Sequence, residues 1–290
     1  MAKSNKKRSE RQEMGFLEHL EELRWHIIRA VLSIFLFAAV AFLFKEIIFD
    51  TVILAPKQED FFTNRLLCRL GGLVNVRALC INTHDVELIN IRMAGQFITH
   101  ITISLIAGVI ISFPYIFWEF WRFLKPALYD SERRYARGGV AVTTLLFLSG
   151  VLFGYFLISP LSIHFLSTYT VSAQVSNQIY LGSYIGTLSA ITLASGILFE
   201  LPVAIYFLSR IGVVTPASLR KYRRHSIVVL LILSAIITPP DIFSQVLVCL
   251  PLLVLYEVGI RISRRIERER ERRDSTIARG ESPSSENASM

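Results

Sequence analysis

Charged residues are scarce in this 290-residue chain, in which Asp, Glu, Lys and Arg together occupy 19% of the positions. Hydrophobic residues occupy 52%, and the mean hydropathy is +0.48. Because soluble domains carry about 25% charged residues, this composition excludes an ordinary water-soluble fold. Most of the chain is therefore expected to lie in a lipid bilayer.

Cysteine is also rare, with three residues in the whole chain. This number excludes a small scaffold held together by many disulfides. Cys249 lies in an apolar run, whereas Cys68 and Cys80 share one extramembrane loop at a spacing that a disulfide can close. Two unlinked thiols are the alternative, because the redox state of the compartment decides between them.

Catalytic motifs are missing as well. The sequence contains no HExxH, CxxC, GxSxG or glycine-rich phosphate loop. The six histidines are scattered, and we interpret His100, inside an apolar run, as a packed or interfacial residue, with a proton relay as the alternative. We therefore expect neither an enzyme nor a bound metal or cofactor.

Six long apolar runs are the main feature that is present. They predict membrane spans at residues 25–44, 97–117, 138–159, 187–208, 226–237 and 242–260. The fifth run would reach only about 18 Å as a helix, so it needs a thinner bilayer or burial among longer helices. No small-residue cleavage site follows the first run, so we expect this run to remain as a span.

Proline occurs in or beside four of these runs, at Pro114, Pro160, Pro202 and Pro251. Each proline removes a backbone donor and bends or ends its helix. The sequence therefore predicts an all-α membrane protein whose six spans, several of them bent at proline, form a concave bundle.

Lysine and arginine are distributed unevenly among the connections between the spans. The second and fourth connections are rich in them, whereas the third, 160–186, has none, and the fifth is the short segment 238–241. Because basic loops stay in the cytoplasm, this pattern predicts that both termini are cytoplasmic. The first connection, 45–96, has six basic and six acidic residues and is the poorest fit to an outward position. We attribute the net charge of +8 to basic residues that set the membrane topology, rather than to a nucleic-acid-binding surface.

The two ends of the chain are polar. Residues 1–13 form a basic tail, which we expect in the cytoplasm, and the membrane domain is predicted to cover residues 14–260. Residues 261–290 are charged and, towards their end, rich in serine. Their composition predicts a disordered cytoplasmic tail.

Two polar residues within the runs are candidates for function. A charged carboxylate at the centre of a span costs about 2.5–3.5 kcal/mol on insertion scales, so Glu200 in the fourth run is expected to have a functional role. The alternative is a protonated acid bonded within the bundle, or a side chain that snorkels towards the surface. Gln245 in the last run is a weaker signal, because an amide in a span usually joins helices.

Acidic residues on the cytoplasmic side form a second candidate group, made of Glu21, Glu22 and Glu132. Carboxylates bind arginine through two parallel hydrogen bonds, so these residues are suited to accept guanidinium groups. Solvated charge, or pairing with neighbouring arginines such as Arg24, explains them equally well.

Several strings taken together resemble the TatC family of twin-arginine translocase subunits. They occur in the family's order and at the expected ends of the spans: 19–24, 113–115 with 118–129 and 132–134, 199–202, and 238–241 with 243–245. The resemblance implies a receptor for twin-arginine signal peptides of folded proteins, at the core of a translocase driven by the proton-motive force. Such a chain is expected in the bacterial inner membrane, as part of a complex that contains several copies of it.

The resemblance also implies roles for particular residues. Glu22 and Glu132 would bind the two arginines of the signal, with Phe123 in the same surface. Glu200 would lie on the concave face inside the membrane. A polar patch would dock a single-span TatA- or TatB-type subunit, and it would contain Thr238 and Gln245. The first outward loop looks longer than is usual in the family, and the charged C-terminal tail extends beyond the common core.

A proton-coupled secondary transporter of a small solute is the alternative function. Glu200, His100 and the bent spans suit proton coupling. However, no internal repeat relates the first three runs to the last three, and the short fifth run has no counterpart in the first half. A structural scaffold that binds no signal peptide is a third interpretation.

Overall fold

The computed structural model describes residues 16–58, 60–74, 87–124, 136–172, 174, 177–238 and 242–278. Helices dominate these residues, as predicted: α1 (Phe16–Leu43), α2 (Phe62–Val74), α3 (Gly95–Leu124), α4 (Ala136–Phe153), α5 (Ser159–Thr168), α6 (Leu181–Phe199), α7 (Leu201–Arg210), α8 (Pro216–Lys221), α9 (Arg223–Ile237) and α10 (Ile242–Ala278). Two short strands, β1 (Leu88–Ile89) and β2 (Ile179–Tyr180), form a parallel pair that the sequence did not predict.

Among the residues that the structure describes, five helical stretches are long and apolar enough to cross a membrane. They are Glu21–Leu43, Gly95–Phe123, Gly138–Thr168, Leu181–Arg210 and Ser244–Arg272. Each overlaps one of the predicted spans. The remaining predicted span corresponds to α9, whose 15 residues reach about 22 Å. Because α9 is shorter than the other five stretches, the six-span count stays a prediction.

The four prolines act in two different ways. Pro114 and Pro251 lie inside the continuous helices α3 and α10. Pro160 is near the start of α5, directly after a π-helical segment at Gly154–Ile158. Pro202 begins α7 just after the break at Glu200. Two spans are therefore interrupted where proline permits a new helix start.

Contacts divide the chain into two compact units, of which the first comprises residues 1–44 and 104–144. Here α1 and α3 approach closely at Gly108. A Cβ at this position would lie 2.7 Å from the carbonyl oxygen of Ile34 and 2.8 Å from the backbone nitrogen of Ala38. Only glycine permits this spacing of the two backbones, as in other small-residue contacts of membrane helices.

The second unit comprises residues 45–103 and 145–290. Its larger hydrophobic cluster joins α6, α7, α9 and α10 and contains Ile158, Ile191, Ile205, Leu230, Val248, Cys249, Leu252, Tyr256 and Ile260. A second cluster contains Ile103, Ile163, Tyr184, Ile185 and Leu188.

Small residues join α4 and the π-helical segment to α6 in this second unit. A Cβ at Gly150 would lie 2.6 Å from the carbonyl oxygen of Ser195, and a Cβ at Gly154 would lie 2.9 Å from the Ser195 side chain. On α6, a Cβ at Gly196 would lie 2.8 Å from the ring of Phe147. Gly150 and Gly154 are spaced as in GxxxG helix contacts, a signal to which we gave no weight in the sequence.

The first connection is folded and tied to the neighbouring helices. It contains a π-helical turn at Ile47–Ile53, the helix α2 and the strand β1. The hydroxyl of Tyr155 donates to the carbonyl of Val52 over 2.6 Å, and that of Tyr184 donates to the carbonyl of Ile53 over 2.8 Å. Because β1 pairs with β2, parts of the first and third connections lie side by side, and their outward position stays a prediction.

The last helix corrects the predicted disorder of the C-terminal tail. We expected disorder from residue 261, but α10 continues to Ala278. Within this extension Ser263 and Ile266 are buried, on the same helical face as Ile260 at the end of the predicted span. The hydroxyl of Ser209 on α7 donates to that of Ser263 over 2.8 Å. Packing on α7 therefore holds a segment whose composition alone resembles a disordered tail.

Candidate functional site

The polar centre of the first unit is a pair formed by His26 on α1 and Glu119 on α3. The Nδ1 atom of His26 lies 2.5 Å from Oε2 of Glu119. Both residues are almost completely buried, with 6% and 3% of their surfaces exposed. Because a buried charge is stable only when it is paired, each side chain depends on the other.

Two further side chains hold the carboxylate of Glu119. The hydroxyl of Tyr115, one turn earlier on α3, hydrogen-bonds to it. The Nη1 atom of Arg29, on α1, lies 3.9 Å from Oε2 of Glu119. The carboxylate is therefore fixed from both helices.

Glu22 lies one turn before His26 on α1 and is only partly covered, with 39% of its side chain exposed. Its Oε1 atom lies 3.9 Å from Nε2 of His26. Its Oε2 atom is buried and accepts no hydrogen bond from the residues that the structure describes. Glu22 is thus a partly exposed carboxylate whose capacity to accept hydrogen bonds is not used up within the described residues. The neighbouring Glu21 is exposed to solvent.

Phe123 completes this group, which we call the His26 cluster: Glu22, His26, Arg29, Tyr115, Glu119 and Phe123. The ring of Phe123 meets the imidazole edge to face, with 6.1 Å between the ring centroids. The predicted residues Glu22 and Phe123 therefore both contact the ring of His26. Glu132 lies outside the described residues.

Glu200 occupies the break between α6 and α7 in the second unit. Its backbone carbonyl accepts from the N–H groups of Val203 and Ala204, which starts α7. Both carboxylate oxygens are buried, and among the described residues neither accepts a hydrogen bond of standard geometry. The backbone of Phe147 also acts on this carboxylate. A buried carboxylate without hydrogen bonds is energetically unfavourable inside a span, and either a bound proton or an external partner would relieve this cost.

Thr238 and Gln245 lie at opposite sides of the connection between α9 and α10. The buried hydroxyl of Thr238 donates to the carbonyl of Ser234 over 2.9 Å. The Nε2 atom of Gln245 donates to the carbonyl of Leu231 over 3.2 Å. Gln245 therefore joins α10 to α9, as expected for an amide in a span, whereas Thr238 bonds back to the last turn of α9.

His26 and Glu119 are the functional candidates that the sequence reasoning missed. Glu119 falls within one of the strings that resemble the family, but we gave it no role, and His26 was one of six scattered histidines. A signal existed, because each lies at the end of an apolar run where a partner is required. In the part of the chain that the structure describes, no three His, Cys, Asp or Glu residues are grouped so that they could bind a metal.

Comparison with known proteins decides the family. The model of the Sec-independent protein translocase protein (TatC) family matches residues 18–251, which include Glu22, the His26–Glu119 pair, Glu200 and Gln245. The chain belongs to the TatC family. Its membership confirms the resemblance inferred from the sequence strings and supports the receptor interpretation, with no support for the solute transporter.

Individual members of the TatC family cover nearly the same length. TatC from Blattabacterium sp. subsp. Periplaneta americana is 42% identical over 258 residues, which are 88% of this chain and 97% of the relative. TatC from Aquifex aeolicus is 32% identical over 89% of this chain and 98% of its own length. The chain is therefore similar to complete bacterial TatC proteins.

Two solved structures share the fold. One crystal structure of the twin arginine translocase receptor TatC has a TM-score of 0.63 and 31% identity, covering 86% of this chain and all of that one. A second, of TatC in DDM, has a TM-score of 0.66 and 33% identity, covering 85% of this chain and 99% of that one. These matches establish a multi-pass α-helical TatC fold for this chain.

Two of the three cysteines, Cys68 and Cys249, lie among the described residues. Cys68, on α2, is disulfide-bonded, whereas Cys249 is a buried free thiol. Cys80 lies outside the described residues, so the Cys68–Cys80 pair stays a prediction.

Proposed function

We propose that this TatC-family chain is the core receptor subunit of a twin-arginine translocase. It binds the twin-arginine signal peptides of folded proteins and nucleates a translocation complex driven by the proton-motive force. The single observation that carries this proposal is Glu22, a partly exposed carboxylate with an oxygen that has no hydrogen bond among the described residues. Membership of a family whose solved relatives are called twin arginine translocase receptors supports it.

Glu22 and Glu132 each bind one arginine of the signal, and Phe123 lines the same surface. A hydrogen bond to a charged group contributes about 1.5–3 kcal/mol, so two such contacts provide a large part of the discrimination against neutral residues. A Lys-Lys signal binds less well, because an ammonium cannot form the two parallel hydrogen bonds of a guanidinium.

Glu200 is the polar contact of the receptor inside the membrane. Its two buried oxygens lack hydrogen bonds within the described residues, which supports a role for an incoming partner or a proton. Thr238 and Gln245 contribute to the docking of a single-span TatA- or TatB-type subunit.

The protein resides in the bacterial inner membrane with both termini in the cytoplasm. This orientation rests on the basic second and fourth connections. Several copies assemble within the complex. Recognition is a binding event, and no covalent step is assigned to this subunit.

The test is photo-crosslinking of a twin-arginine signal peptide to the protein in membrane vesicles. We compare the wild type with the Glu22→Gln/Glu132→Gln double variant and with a Lys-Lys peptide, using Glu21→Gln as the matched control. Loss of about 1.4 kcal/mol at each contact lowers binding tenfold per contact, so the double variant should lose most crosslinking while the control retains it. Equal crosslinking of both peptides, or no effect of the double variant, would refute the proposal.

A further inference from the structure

The ring of His26 is placed between two carboxylates. Its Nδ1 atom lies 2.5 Å from Glu119, and its Nε2 atom lies 3.9 Å from Glu22 on the opposite side. The first distance is that of a hydrogen bond, and the second is within ion-pair range but longer than a hydrogen bond. The imidazole ring therefore lies between the buried carboxylate of Glu119 and the partly exposed carboxylate of Glu22.

Glu119 is held in place by further contacts. Glu119 is 3% exposed, accepts a hydrogen bond from Tyr115 and faces Arg29 at 3.9 Å. The edge-to-face contact with Phe123 restricts the rotation of the imidazole. By contrast, Glu22 has only its 3.9 Å contact to His26 and an Oε2 atom with no hydrogen bond in the described part of the chain. The orientation of Glu22 is thus set through His26 by a carboxylate that does not itself reach the surface.

The charges around His26 support the same arrangement. Around the His26–Glu119 pair, the nearby ionisable groups of the described residues include Glu22 and Arg29 from α1 and Tyr115 from α3. The carboxylate of Glu119 thus lies against both the imidazole of His26 and the guanidinium of Arg29. Loss of the carboxylate of Glu119 removes the closest partner of the buried Nδ1 atom of His26, which is unfavourable.

We propose that Glu119 is a positioning residue for signal recognition, which acts through His26 to orient the partly exposed carboxylate of Glu22 towards an arginine of the signal peptide. This inference rests on the proposed function of Glu22. Bidentate binding requires the carboxylate to be held in one orientation, and pre-orientation lowers the ordering cost of binding. Glu119 therefore contributes to selectivity for arginine over lysine, because an ammonium needs no fixed fork geometry.

The test is a double-mutant cycle on the full-length protein in lipid nanodiscs. Dissociation constants of an Arg-Arg and a Lys-Lys signal peptide are measured for the wild type, Glu119→Gln, Glu22→Gln and the double variant, with Glu21→Gln as the control. We expect Glu119→Gln to weaken Arg-Arg binding by about 3- to 10-fold and Lys-Lys binding by less than about twofold. In the Glu22→Gln background, Glu119→Gln should have no further effect, because the residue acts through Glu22.

The cycle separates positioning from a general structural role. Additive losses in the double variant, equal weakening of both peptides, or unchanged Arg-Arg binding in Glu119→Gln would overturn the inference. If Glu119→Gln shows no cooperative thermal unfolding, His26→Gln replaces it in the same cycle, since glutamine can donate to Glu119 but cannot also reach Glu22. A wild type that does not prefer Arg-Arg, or a Glu22→Gln variant that binds normally, overturns the proposed function itself. The two failures are therefore distinguishable.

Discussion

Replacement of Gly150 by alanine should destabilise the contact between α4 and α6. A Cβ at this position would lie 2.6 Å from the carbonyl oxygen of Ser195 and 2.8 Å from Cβ of Phe199. Ordinary contacts begin at 3.4 Å, so the two backbones must separate by 3.4 − 2.6, about 0.8 Å. The contact is with a backbone atom, which no rotamer change can relieve.

The net effect is the difference between two opposing contributions. Overpacking of this kind costs about 1–3 kcal/mol, and a clash with backbone belongs in the upper half of that range. Alanine gains about 1 kcal/mol of helix propensity over glycine. We therefore expect Gly150→Ala to lower the free energy of unfolding by about 1–2 kcal/mol.

The matched control is Gly186→Ala on α6, where a Cβ would meet no atom within 4 Å. This variant should leave the free energy of unfolding unchanged or raise it by up to about 1 kcal/mol. The assay is denaturant unfolding of both purified variants in detergent micelles, followed by far-ultraviolet circular dichroism. Equal stability of the two variants would show that the close approach at Gly150 does not constrain the helices.

Three other substitutions or measurements test separate parts of the fold. Ile266→Asp places a charge on the buried face of the C-terminal extension, and limited proteolysis in open vesicles should cut this segment faster than in the wild type. Gln245→Leu removes an interhelical hydrogen bond worth about 0.6 kcal/mol, and it should weaken co-purification of a single-span subunit without unfolding the protein. Maleimide labelling of the denatured, unreduced wild type should modify Cys249 alone, whereas labelling of all three cysteines would exclude a Cys68–Cys80 disulfide.

Hydropathy predicted the spans well because the bilayer demands long apolar helices with internal hydrogen bonds. Hydropathy could not predict the β1–β2 pair, because the two strands come from different connections and are about 90 residues apart in the sequence. It also misjudged the C-terminal segment, since composition was weighed above periodicity. The alternation of arginine and glutamate there provides i,i+4 pairs, such as Arg265 with Glu269 at 3.4 Å, that support a helix.

Sequence motifs predicted some residues of the candidate site but not others. Glu22 and Phe123 were found because their strings resemble the family. His26 and Glu119 are 93 residues apart, and their contact depends on the register of α1 against α3. That register is fixed by close contacts such as Gly108 against Ile34, which no local pattern specifies. Pairing of polar residues across helices therefore had to come from the structure.

The hydrogen bonds already made by each polar side chain separate structural from ligand-binding roles. Glu119 is held by three neighbours, so it has little capacity left for a ligand and acts as a support. Glu22 and Glu200 each keep buried oxygens without a hydrogen bond among the described residues, which is costly unless a partner arrives. Thr238, by contrast, is buried and already donates within its own hairpin.

This contrast makes Thr238 a sharp test of the docking proposal. Thr238→Val keeps the shape of the side chain and removes the hydroxyl, whose hydrogen bond is internal to the chain. If a partner subunit docks through neighbouring atoms, its crosslinking to this hairpin should persist in Thr238→Val and fall in Gln245→Leu. Loss of crosslinking in Thr238→Val, with unchanged thermal unfolding, would instead mean that the hydroxyl exchanges its internal acceptor for one on the partner. The distinction matters because only the second result makes the hairpin a site that must rearrange in order to bind.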